Sequence, residues 1–111
     1  KNQQKGYEKM KKIINGKMYN TETAEEIGSW ENTPYKSNYI YFKEYLYRKK
    51  TGEFCMYGSG NAASKYCEET ADRMRSPGER IVPLTIKEAM VWVENYCDAD
   101  TYIELFGEVE E

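Results

Sequence analysis

The chain has 111 residues, 40% hydrophobic and 32% charged, with a formal net charge of −3 and a mean hydropathy of −0.90. That is room for one compact domain that hides roughly two thirds of its unfolded surface, and no apolar run approaches the ~18 residues of a membrane span. Histidine is absent, which excludes every mechanism needing an imidazole base and every His-ligated zinc site.

Residues 1–10 (KNQQKGYEKM) lack periodicity and read as a flexible arm, an expression remnant, or an extension upstream of a start at Met10. Asn15-Gly16, between the apolar-bearing runs Lys12–Ile14 and Lys17–Tyr19, predicts a hairpin, because both turn positions need φ > 0. Thr21–Gly28 reads as a short helix, with Thr23 and Glu26 at capping-box spacing and Gly28 as its stop. Ser29–Ser37 is a connector.

Tyr39–Lys49 alternates with period two. Tyr39, Tyr41, Lys43, Tyr45, Tyr47 and Lys49 share one face, and Ile40, Phe42, Glu44, Leu46 and Arg48 the other. Lys50-Thr51-Gly52 then turns the chain, and Glu53–Tyr57 returns as the antiparallel partner. Gly58–Glu79 reads as a loop-rich interval, functional or mobile, with one short helical stretch around Lys65–Met74. It lacks the GxxxxGK[ST] pattern of a phosphate loop. Arg80–Leu84 predicts a strand that Pro83 confines to a sheet edge. Thr85 and Glu88 then form a capping box for a helix with the stripe Ile86, Ala89, Met90, Val93, Tyr96 and Cys97. Asp100 caps a second helix, Thr101–Phe106, which Gly107 stops. The expected architecture is a single α+β domain over 11–107 with an acidic tail at 108–111. Two hairpins and an edge strand make a small antiparallel sheet, packed on the first C-terminal helix.

Cys55, Cys67 and Cys97 are odd in number and form no CxxC, so they read as small apolar residues in a reducing cytoplasm. The alternatives are a zinc site of three thiolates with an Asp, and a thiolate served by Lys, Asp or Glu. No carboxylate spacing selects an acid–base pair, so no enzyme, metal or cofactor is expected.

Charge is sorted along the chain. Residues 1–20 carry six lysines against Glu8, whereas from Glu88 onward there are eight acids and no base. The candidate partner-binding residues are Glu94, Asp98, Asp100, Glu104, Glu108, Glu110 and Glu111, an anionic patch that attracts a basic protein and repels duplex DNA. The alternative site is the face of Tyr39, Tyr41, Lys43, Tyr45, Tyr47 and Lys49, on which single-stranded nucleic acid could stack, although tyrosine at this spacing equally suits a half-buried pleated surface with its ring inward and its hydroxyl outward.

Lys11–Gly28 (KKIINGKMYNTETAEEIG), Leu46–Phe54, Tyr57-Gly-Ser-Gly60, Leu84–Ala89 (LTIKEA), Asp98–Tyr102 (DADTY) and Phe106–Glu111 together resemble small proteins carried on phages, plasmids and conjugative elements of Gram-positive bacteria. Such genes travel among anti-defence genes, and small acidic anti-CRISPR inhibitors are the class to compare. The expected state is a monomer or dimer in a reducing cytoplasm, which the resemblance makes that of a bacterial host. The resemblance also implies inhibition of a host defence nuclease, whose nucleic-acid channel is positively charged. It assigns no catalytic residue.

Overall fold

The computed structural model describes residues 10–111. The arm expected over 1–10 lies outside them except for Met10, whose N–H donates to the buried hydroxyl oxygen of Thr21 at 2.9 Å.

Asn15 and Gly16 hold φ of 53° and 80° and join β1 (Lys11–Ile14) to β2 (Lys17–Asn20) through the anticipated two-residue turn. The helix expected over Thr21–Gly28 is instead a turn followed by β3 (Glu25–Glu31). Asn20 decides this locally. Its carbonyl accepts from the N–H of Thr23 and of Ala24 and its side-chain oxygen from the N–H of Glu22, while the Thr23 hydroxyl bonds back to Asn20 and never caps Glu26. Pairing with the next strand then outweighs the weak helical preference of EEIG.

β4 (Phe42–Arg48) and β5 (Phe54–Gly60) form the second hairpin, with Tyr45 opposite Tyr57. β6 (Glu68–Glu69) and β7 (Arg75–Ser76) make a small separate ribbon where a helix around Lys65–Met74 was expected. Its turn is closed by the N–H of Thr70 donating to the Met74 carbonyl, with Arg73 at φ 66°. β8 (Gly78–Leu84) completes an antiparallel sheet of order β3-β4-β5-β8, so Pro83 does lie in an edge strand. At the other edge, β3 bulges between Glu26 and Gly28.

α1 (Ile86–Tyr96) starts at the Thr85–Glu88 capping box, as read. α2 (Ala99–Phe106) starts two residues earlier than expected. Asp98, rather than Asp100, is its cap, because Asp98 Oδ1 accepts from the Thr101 N–H at 2.9 Å; Gly107 ends the helix at φ 99°. No helix among the described residues is long and apolar enough to cross a membrane.

The fold is α+β, in three layers. Tyr45, Tyr47, Cys55, Tyr57 and Ile81 on one face of the sheet are covered by Tyr19, with Met10, Ile14 and Ala24 packed alongside. The first hairpin therefore lies across the sheet instead of extending it, contrary to expectation. Leu46, Phe54 and Met56 on the other face meet Ala89, Trp92 and Val93 of α1, with Tyr102, Leu105 and Phe106 of α2 at the margin. The α1 stripe is thus rotated from the expected one. Trp92 turns inward, whereas Ile86 is 62% exposed.

The interval after Gly58 is built on missing side chains. The Tyr66 ring lies against Gly58, where an added Cβ would come within 2.0 Å of the phenol carbon, and a Cβ on Gly60 would come within 2.2 Å of the Ser64 hydroxyl. Strand β5 can therefore run on beneath the 61–67 crossover. Gly58→Ala is expected to destabilise the domain by about 1–3 kcal/mol through overpacking. Gly52→Ala meets no atom within 4 Å and should cost only the positive-φ strain of about 1–2 kcal/mol. Urea denaturation with Trp emission as a second probe separates the two, because only the Gly58 variant should also perturb Trp92.

Candidate functional site

The seven acids assigned to partner binding are all exposed, and they share the helical layer and its tail. Glu94 lies in the last turn of α1 and Glu104 in the last turn of α2, and neither last turn holds a basic residue. Helix dipoles favour cations at these ends, so the arrangement works against helix stability. Asp98 and Asp100 flank the start of α2, where acids are favourable; hydrogen bonds from Thr101 hold the Asp98 carboxyl below its ordinary range. The ion pairs of the described residues lie elsewhere: Lys17 and Lys49 on Glu53, Arg48 on Glu25, and Lys65 on Glu44. No lysine or arginine among the described residues folds over the C-terminal carboxylates. Lys11, Lys12 and Lys17 sit on the hairpin across the sheet, so the charge gradient along the chain becomes a charge difference between layers.

The tyrosine–lysine face is not assembled as read. The strand begins at Phe42, leaving Tyr39 in a turn and 76% exposed, while Tyr41 donates its hydroxyl to Glu31 at 2.8 Å. Tyr45 and Tyr47 are buried beneath the first hairpin. Lys43 sits 4.9 Å from the Tyr45 ring and Lys49 4.1 Å from the Tyr19 ring, each capping an aromatic edge of this core. A base could stack on Tyr45 or Tyr47 only by displacing the β1–β2 ribbon.

Sequence reasoning missed the most buried charge. Glu44, on the central strand β4, is 4% exposed on the helix side of the sheet. Its Oε1 accepts from Trp92 Nε1 at 3.0 Å, and its Oε2 accepts from the Tyr66 hydroxyl at 2.6 Å and pairs with Lys65 Nζ at 2.8 Å. Burial pushes this carboxyl up, but the hydrogen bonds from Lys65, Tyr66 and Trp92, together with the Lys65 charge, outweigh it and hold the group below its ordinary value of 4.5. The Tyr66 phenol is driven strongly upward by burial and by Glu44, and the Arg80 guanidinium, 4.7 Å from its ring centre, only partly opposes this. The signal was present in the sequence: an acid between the apolar Phe42 and Leu46 on one strand face, and two aromatic donors elsewhere.

This cluster borders a cleft of about 410 Å³ between α1 and the crossover. It holds a carboxylate kept charged and a phenol kept protonated, with every acceptor oxygen engaged, so its arrangement is that of a clamp. Cys55 is likewise unactivated, its thiol pushed up to about 11 by burial against a smaller pull from Lys49. All three cysteines are free, and among the described residues no three His, Cys, Asp or Glu side chains converge to hold a metal ion. Set against protein-family models, curated proteins and solved structures, the chain finds no match.

Because the Glu44 carboxyl is depressed in the fold, its contribution is present above its ordinary value and lost as pH falls through the depressed one. Glu44→Gln should lower stability at neutral pH by about 2–4 kcal/mol, since the amide leaves a buried donor facing Lys65 and Tyr66. Its stability should also fall less steeply in acid than that of the parent. Urea titrations between pH 7 and about pH 3 measure both effects; parallel acid limbs would refute the assignment.

Proposed function

We propose that the chain is a non-enzymatic binding protein that presents its α1–α2 layer to a cationic protein surface, acting as an inhibitor of a host defence nuclease. The observation that carries this reading is the row of exposed carboxylates along both helices and the tail that form no ion pair among the described residues, including acids at two helix ends where stability favours cations. A surface of this sign repels nucleic acid and competes for the Lys- and Arg-lined channels that proteins use to hold it. The likeness to small proteins of phages and conjugative elements supports the choice of a CRISPR effector as the first target. Burial of Tyr45 and Tyr47 weighs against a stacking platform for single strands.

The test is a DNA-cleavage assay with a guide-loaded CRISPR effector titrated with this protein. Inhibition should weaken steeply with added salt, and Glu104→Lys with Glu108→Lys should cost about tenfold or more, since like charges then meet. A double variant that keeps its circular dichroism and inhibits as well as the parent would refute the acidic docking surface.

A further inference from the structure

The anionic layer is not uniformly polar. Between α1 and α2 runs a trough of about 400 Å³, with buried Val93 as part of its floor and Cys97, Ala99 and Tyr102 along its walls. Ile103 and Val109 stand at its lip, 37% and 59% exposed, and Glu94 and Asp98 also line it. We infer that this trough seats a single apolar side chain of the partner, delivered from a Lys- or Arg-rich segment of that protein. The inference rests on the anionic-layer reading above and adds to it the feature that gives the contact its specificity.

Two properties select the occupant. The trough is walled largely by carbon and sulfur, which favours an apolar occupant, while Glu94 and the Asp98 oxygen not engaged by the Thr101 N–H offer acceptors to cationic groups beside it. Glu94 and Asp98 line it, Asp100, Glu104 and Glu108 are chain neighbours of the lining residues Ala99, Ile103 and Val109, and all five are exposed and without an ion pair among the described residues, so what flanks the anchor is cationic. Acidic peptides and phosphate-bearing ligands meet repulsion at every approach. A dry apolar centre within a charged rim is also the usual anatomy of an energetic hot spot, in which the rim steers and the anchor determines the residence time. The first hairpin of a second copy is the rival occupant, because Ile13 is 69% exposed beside Lys11 and Lys12.

The protein supplies its own reporter, since Cys97 lines the trough and Cys67, next to β6, does not. Two probes are used at low salt: a short Lys/Arg peptide with one central Leu, and the same peptide with Ser in its place. The Leu peptide should bind about tenfold or more tightly than the Ser peptide, the expected worth of burying one such side chain. It should also slow alkylation of Cys97 by iodoacetamide several-fold and leave Cys67 unchanged. Ile103→Ser should remove the Leu preference while retaining the electrostatic binding common to both peptides. Equal binding of the two peptides with Cys97 unprotected would overturn the trough while leaving the anionic layer standing. Binding by neither would overturn both. Sedimentation showing self-association that protects Cys97, abolished by Ile13→Asp, would assign the trough to a second copy and overturn the inference.

Discussion

The carboxylate of Glu44 is the point at which the layers are joined. It projects from the central strand and is met by an indole from α1, a phenol from the crossover and the ammonium of Lys65. A buried carboxylate is tolerable only when its lone pairs are filled, and each of these partners comes from a segment distant in sequence. The cluster therefore fixes which way α1 is rotated. With Trp92 held inward, Glu94 of the same helix is carried outward to the lip of the trough. Such a cluster adds little net stability compared with a well-packed apolar core, but removal of one member leaves the others stranded.

Around that junction the sheet assigns its two faces to different tasks. One face closes under a lysine-bearing ribbon and forms a tyrosine-rich core, and the other carries the acidic helices. The strand alternation that looked like a display of tyrosines is in fact a sorting of aromatics to the ribbon side and of Leu46, Phe54 and Met56 to the helix side. The Tyr57 hydroxyl reaches Glu79 at the margin, so burial of that ring leaves its polar tip satisfied.

What could be read from the sequence was what turns and caps specify within a few residues. The Asn15-Gly16 turn, the hairpin after Arg48, the edge position of Pro83 and the Thr85–Glu88 box all depend on local chemistry, and all are present. The acidic surface was legible too, because charge count requires no geometry. The errors arose where distant segments decide. EEIG became a strand because β4 offered it a partner, and the Gly58–Glu79 interval acquired order because Tyr66 finds a place on Gly58. Tyr45 and Tyr47 became core because a ribbon some 25 residues upstream folds over them. Period-two alternation marks two faces but does not say which of them is covered.

The rims of the sheet bear on how this molecule meets others. β3 is interrupted by its bulge and carries Glu25, Glu26 and Glu31, while Pro83 deprives β8 of an amide. Both are devices that discourage backbone pairing with a neighbouring chain. Strand addition, the recognition mode most readily available to a small sheet, is thereby discouraged at either border, and side-chain chemistry on the helices becomes the route by which a partner is chosen.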